Sequence, residues 1–344
     1  MADTILFLAH VEDGTLAKPA LEALGAAVDL RAGLGATLVV GLVGPDAARA
    51  ASLVGGCGAT RWLVVDDPAC AEGRYATDAA AAEAVARAAG ATLVVAPGTS
   101  RWMRVLPGVA HRLGGRADTH LTALDVRDGQ LVATRWYYRQ RIEAVQSRTG
   151  RPWVLVVDPG GHAPWAGATA DVTTEAIAVQ VPADHVRTRV VGTEAPSAGA
   201  DTIRPDASLL FVAGAGWTKK QPDGQTHAAE AEALILDFLA RSGASLGGSK
   251  SLVDLSGEGQ AVLRFMTHLN QVGQTGSTPR HPKGLSTCCH GEEPHVVGWR
   301  FVNERRAISL DPNCGWARGK ADVLYVADAF AVMAKVNARL GERP

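Results

Sequence analysis

The chain has 344 residues, enough for two domains of ordinary size that each bury a core. Lys plus Arg number 34 against 35 Asp plus Glu, a formal charge of -1, so no excess of either sign points to nucleic acid or to a membrane surface. No apolar run reaches the ~18 residues of a membrane span, and no basic leader precedes the first strand; with five cysteines in no framework spacing, the expectation is a reduced cytoplasmic protein.

Residues 4–8 read as a short buried strand, and a helix follows from near Pro19 to about Ala32, proline being tolerated in a first turn. Residues 36–43 and 61–65 are continuous apolar runs, as in parallel strands covered on both faces. Residues 76–89 form an alanine-rich helix with Asp78 near its start and Gly90 at its end. A strand at 92–96 leads through Pro97-Gly98-Thr99-Ser100 into a helix around 103–113, while 131–138 and 154–158 add antiparallel or edge strands. Small, polar and proline-bearing residues at 193–205 predict a linker, separating an N-terminal domain at 1–192 from a C-terminal one at 206–344. In the second domain, strands at 208–212, 307–310 and 323–326 accompany helices at 228–241 and from Asp328 to about Leu340. Strand-helix alternation of this kind predicts an α/β protein of two domains, each a mainly parallel doubly wound sheet.

The chemistry-bearing residues gather between Lys250 and Asp328. Gly273 and Gly276 bracket Gln274 and Thr275 in Val272-Gly273-Gln274-Thr275-Gly276, so the backbone there can turn tightly and approach a ligand. Ser249-Lys250 precede this loop. After it come Cys288-Cys289-His290-Gly291-Glu292-Glu293-Pro294-His295, then Ser309-Leu310-Asp311-Pro312, then Ala321-Asp322. In this order, and with Ala96-Pro97-Gly98-Thr99-Ser100 and Arg104-Val105-Leu106-Pro107 in the first half, the chain resembles the alpha subunit of electron-transfer flavoproteins as a divergent homologue.

The resemblance implies an FAD-binding C-terminal domain and a partner-contacting N-terminal one. Gln274 and Thr275 would lie beside the isoalloxazine between Gly273 and Gly276. His295 would face the N1–C2=O edge, where a donor raises the potential. Ser249 matches the serine before the family's arginine over the ring, and Lys250 stands at that arginine's place, where lysine lacks its planar fork. His290 and Gly291 belong to a loop approaching the diphosphate, Asp311 closes a strand, and Asp322 would bind toward the adenosine. The family works as a heterodimer with a beta-type subunit that carries AMP or a second flavin, and it accepts electrons from a flavin-dependent dehydrogenase. The bond-making chemistry would belong to that dehydrogenase, so no catalytic residue is assigned to this chain.

Three departures bear on the site. Gly214-Ala215-Gly216-Trp217 stands where the family reads Gly-Gly-Arg-Gly, Ser309 replaces an asparagine, and Glu292 with Glu293 brings two carboxylates toward a diphosphate. Lys219 or Lys220 is a stand-in for the missing arginine. A second expectation follows: a structural subunit fixed in a larger dehydrogenase or demethylase complex, its FAD site altered or empty. Adjacent Cys288 and Cys289, with His281, His290, His295 and Cys314, do not give zinc spacing, and no metal is expected. Arg135-Trp136-Tyr137-Tyr138-Arg139-Gln140-Arg141 mixes bases and aromatics, but its alternation suits an edge strand or protein interface better than nucleic acid. Arg101, Arg104, Arg112 and Arg116 are expected to make solvated faces rather than a phosphate site.

Overall fold

The computed structural model describes residues 3–138, 142–192, 203–204, 206–249, 252, 261–273, 278–288, 301–314 and 317–342. The chain divides into two compact units, Met1–Thr193 and Glu194–Pro344. It is a two-domain α/β fold, with a large mainly parallel sheet in the first unit and an all-parallel sheet in the second.

The first unit runs β1 (Thr4–His10), α1 (Lys18–Leu34), β2 (Thr37–Val43), α2 (Ala47–Leu53), β3 (Arg61–Val65), α3 (Tyr75–Ala89), β4 (Leu93–Pro97) and α4 (Ser100–Arg112). Then follow β5 (Arg116–Arg127), β6 (Gln130–Tyr137), β7 (Ile142–Gln146), β8 (Trp153–Val157) and β9 (Glu175–Ala176). Among the described residues they form one nine-stranded sheet, ordered β7-β6-β5-β8-β4-β1-β2-β3-β9. Only β6 pairs antiparallel with its neighbours. The apolar runs are explained by cover on both faces: α1 and α2 pack on one side, α3 and α4 on the other.

One strand departs from the expectation. β8 is neither an edge nor antiparallel; it lies between β4 and β5, parallel to both, and every residue is buried. The run Trp-Val-Leu-Val-Val carries the mark of a doubly covered strand, but its place in the order depends on partners far away in sequence. Likewise β6 is second from the edge, and β7 forms the edge itself.

Beyond β8 the chain lies along α1 and α2 as an extended strap. Trp165 N–H donates to Leu21 O (2.9 Å), Gly56 N–H to Ala168 O (3.0 Å) and Ala170 N–H to Ser52 O (3.1 Å). It then adds β9 beside β3, where Arg61 and Glu175 form a two-pronged ion pair at 2.9 and 2.8 Å. The strap needs glycine beneath it. A Cβ on Gly56 would come within 2.5 Å of Ala168 O, and one on Gly55 closer still to Ala170 O. Gly55→Ala is therefore expected to cost about 1–3 kcal/mol, the usual range for overpacking. Denaturant titration and limited proteolysis check this: an unchanged midpoint, with no new cleavage between residues 163 and 176, would contradict it.

The second unit contains β10 (Leu209–Ala213), α5 (Ala228–Ser242), β11 (Ser245–Gly248), β12 (His281–Cys288), β13 (Val302–Ser309), β14 (Val323–Val326) and α6 (Ala329–Gly341). The five strands are parallel in the order β11-β10-β12-β13-β14. One face packs on α5 and α6 through Phe211, Ile235, Phe238, Ile308 and Met333. The other is covered by Val272, Phe301, Cys314 and Ala317.

Candidate functional site

In an open parallel sheet, ligands bind beyond the carboxyl ends of the strands, where the strand order reverses. In the second unit that point lies between β10 and β12, because the chain moves from β10 to β11 on one side and from β12 to β14 on the other. Three of the expected residues stand along this edge, Ser249 and Gly273 beside β11 and Asp311 after β13, with β10 and β12 between.

Ser249 directly follows β11, and its N–H donates to Ala213 O of β10 at 3.0 Å. Its hydroxyl accepts the Leu252 N–H at 3.3 Å, and the residue is 3% exposed. Beside it, residues 271–273 run along the outer side of β11, with Gln271 bridging Gly248 and Val272 N–H donating to Gly248 O (3.0 Å). The bare backbones of Gly247 and Gly248 admit Val272 and Met266 against the strand. Gly273 has φ +86°, the left-handed region, so the chain turns sharply there. Its N–H donates to Thr278 Oγ1 at 2.8 Å, which ties together the two ends of the loop at 274–277. Thr278 is a residue that sequence reasoning missed; its only signal was a hydroxyl shortly after a glycine turn. Asp311 follows β13, and its Oδ1 accepts the Asn313 N–H at 2.8 Å while its own N–H donates to Ser309 Oγ at 3.2 Å. That carboxylate holds its own turn.

Asp322 is not brought together with these. It precedes β14, whose Val323 pairs with Arg306, the fifth residue of β13, so it lies at the amino end of β14. Its Oδ2 accepts the Arg305 N–H at 2.6 Å, an edge-closing role. At the carboxyl end of β14 the acid is Asp328, which caps α6 by accepting N–H bonds from Phe330 (3.3 Å) and Ala331 (3.2 Å). Lys250, Gln274, Thr275, Gly276, His290, Gly291 and His295, as well as Glu292 and Glu293, lie outside the described residues.

The turn after β10 is filled by protein. Gly214 N–H donates to Thr287 O at 2.7 Å, and the next turn buries Trp217 completely. The indole N–H donates to Thr287 Oγ1 at 2.7 Å, that hydroxyl donates to Val212 O at 3.1 Å, and the ring meets Phe330 edge-on at 4.6 Å. Neither Gly216 nor the buried Trp217 offers a cation at this turn. Lys219 and Lys220 are exposed on the far side of this turn. The start of α5 is likewise taken up: His227 stands 2.7 Å from Asp223 and 3.2 Å from Glu230. The hydrogen bond to Asp223 raises the His227 pKa above its usual value, and the ion pair with Glu230 adds to it.

The remaining candidates resolve differently. His281 and Cys288 stand at opposite ends of β12, about 23 Å apart at ~3.3 Å per residue, so they cannot share a metal. Both His281 ring nitrogens face carbonyls, Pro279 O at 3.0 Å and Arg204 O at 2.8 Å. Cys314 is buried in the core. Among the described residues no three His, Cys, Asp or Glu side chains are placed to hold a metal ion.

The arginines of the first unit bind protein, not a free anion site. Arg101 donates to Asp78 at 2.8 and 2.6 Å and to Cys70 O at 2.6 Å. Asp78 therefore turns inward, and His10, stacked on Trp102 at 3.7 Å, lies 3.5 Å from it. Burial drives the His10 pKa down to about 4 against the pull of Asp78, so this imidazole is neutral near pH 7. Arg104 donates to Gly73 O, Arg112 pairs with Glu83, and Arg116 donates to Gly115 O. Arg135 lies inside the sheet and donates to Asp118 at 3.0 Å, with its guanidinium 4.5 Å from the Tyr137 ring; residues 139–141 lie outside the described residues.

Among protein families, residues 4–184 match the electron transfer flavoprotein domain. No curated protein matches the chain. The family match covers more than half of the chain and lies within the first unit, while the candidate residues belong to the second.

Proposed function

The chain belongs to the electron transfer flavoprotein domain family, and from that premise we propose that it is an alpha-type subunit whose residues 206–344 bind FAD. It relays electrons from a partner flavin dehydrogenase to an acceptor, as a heterodimer with a beta-type subunit that carries AMP or a second flavin. One observation supports this reading above the others: Ser249, the Gly273 turn and Asp311 stand at the carboxyl ends of parallel strands on either side of the strand-order reversal.

The Ser249 hydroxyl and the tight Gly273 turn place polar backbone and side-chain groups at this edge, and Thr278 fixes the Gly273 turn by accepting its N–H. Lys250, Gln274, Thr275, Gly276, His290, Gly291 and His295 complete the proposed site. Bound FAD would supply the one-electron chemistry; the chain would orient it and keep water from it. No catalytic residue is needed in this subunit.

A second reading draws on Trp217. Its N–H is taken by Thr287 and its neighbour Gly216 offers no cation, while the acid at Asp322 closes a sheet edge. These features favour a structural subunit of a larger dehydrogenase or demethylase complex with an altered or empty flavin site. Co-purification with the beta-type subunit separates the two. The carrier reading expects a yellow heterodimer that releases one FAD per alpha chain on denaturation. Colourless protein in a stable larger assembly by native mass measurement would sink it and support the second.

A further inference from the structure

His281, the first residue of β12, has no part in the flavin reading, yet it is fully buried against two acceptors. Its Nδ1 lies 3.0 Å from Pro279 O and its Nε2 lies 2.8 Å from Arg204 O. A carbonyl oxygen only accepts, and a neutral imidazole carries a single N–H. The neutral ring therefore bonds one carbonyl and turns a bare lone pair toward the other. Only the imidazolium, with two N–H groups, satisfies both.

The two carbonyls belong to different parts of the second unit. Arg204 lies near the start of this unit, and its N–H donates to Ser245 Oγ at 2.8 Å while Nη2 donates to Gly243 O at 2.7 Å. It is thus fastened to the turn between α5 and β11. Pro279 follows Thr278, whose Oγ1 accepts the Gly273 N–H at 2.8 Å and so closes the glycine loop. His281 stands between these two points, bonded to one or to both according to its charge.

Arg204 O is the nearer acceptor, so the neutral ring keeps its proton on Nε2 and leaves Nδ1 bare toward Pro279 O. Burial opposes a second proton and holds the His281 pKa below its usual 6.5. The two carbonyls and the Asp206 charge act against that, and the Arg204 charge adds to it. Arg280, next in the chain, donates from Nη1 to Asn303 Oδ1, and β13 sets uncharged Val302 opposite His281. The second proton is therefore taken up below pH 6.5. Because the folded pKa is the lower one, His281 stabilises the fold fully above 6.5 and loses that contribution as pH falls, even as a bond is gained at the loop end.

We infer that His281 is a proton-operated clamp: on taking its second proton it fastens Pro279, and with it the end of the glycine loop, to Arg204 at the start of the second unit.

The test needs no flavin. The full chain, labelled with nitrogen-15 at histidine, is titrated by NMR from about pH 8 to about pH 4.5, across the histidine range. Hydrogen exchange, corrected for its intrinsic dependence on pH, is followed by mass spectrometry over the same window. The expected result is an Nε2–H tautomer at the high end and two protonated ring nitrogens at the low end. Exchange at residues 271–273 and 278–283 should slow by about tenfold across that step, as one charge-assisted hydrogen bond gives. His281→Phe keeps the bulk of the ring and should lose the step. His227, whose pKa is raised by Asp223 and Glu230, titrates earlier and at its own resonance. A ring that stays neutral throughout, exchange unmoved by its titration, or the same step in His281→Phe overturns the inference. The titration of the native chain decides even where the variant fails to fold.

Discussion

Asp118→Ala is expected to remove about 3 kcal/mol of stability, the lower end of the range for breaking a buried charged group away from its partners. Asp118 is 1% exposed on β5 and accepts from Arg135 (3.0 Å), from Arg148 through two nitrogens (2.5 and 3.0 Å) and from the Trp153 indole N–H (2.8 Å). One carboxylate thus joins β5, β6, the segment after β7, and β8. Removing it leaves two guanidinium groups facing each other and a buried indole N–H without an acceptor. The lower end is appropriate because the Arg148 side chain is 36% exposed and water can take over part of its hydration.

The pH dependence has a definite sign. Burial works against ionisation of Asp118, but hydrogen bonds led by Arg148 outweigh it and hold the pKa down from 3.8 to about 2. A carboxyl whose folded pKa is depressed stabilises the fold above its unfolded value and loses that contribution as pH falls through the folded one. The gap between the native protein and Asp118→Ala should therefore be full at about pH 6 and shrink between about pH 4 and pH 2. Urea titrations across that window measure it. A gap that stays constant down to about pH 2 would show that the carboxylate's charge is not what holds the strands.

Trp217→Ala should cost about 3–5 kcal/mol, as large-to-small changes of aromatic residues in a packed core do. The indole is fully buried with Phe211, Phe238 and Phe330 in its cluster. Trp217→Phe separates packing from hydrogen bonding: it keeps most of the volume and loses the bond to Thr287 Oγ1, for about 1 kcal/mol. Guanidinium unfolding of both variants gives the comparison. If Ala and Phe cost the same, the hydrogen bond dominates and the cluster is less well packed than its geometry indicates. The result also bears on the two functional readings, because a Trp217 that mainly fills the core is a structural residue and not a ligand contact.

Much of the fold was legible from local pattern. Continuous apolar runs such as 61–65 identify strands covered on both faces, and Asp328 before an apolar helical run marks the start of α6, where it caps two N–H groups. The candidate site was legible in part, because Gly273 announces a turn through its own backbone. Residues whose role depends on distant partners were not. Asp78 reads as a helix-start acid and stands in the first turn of α3, but its pairing with Arg101 had no local signal. Asp322 reads as a site residue by its position in the order of motifs, yet strand pairing with Arg305 and Arg306 puts it at the amino end of β14.

By itself, then, the sequence determined the α/β class and the two units' worth of alternating elements, because helix and strand periods arise from neighbours within a few positions along the chain. Only the tertiary structure decided that β8 is central, that Trp217 closes the turn after β10, and that one carboxylate at Asp118 binds two arginines from separate segments. Those outcomes depend on which strands lie side by side, and that is settled by burial and hydrogen bonding between residues far apart in sequence.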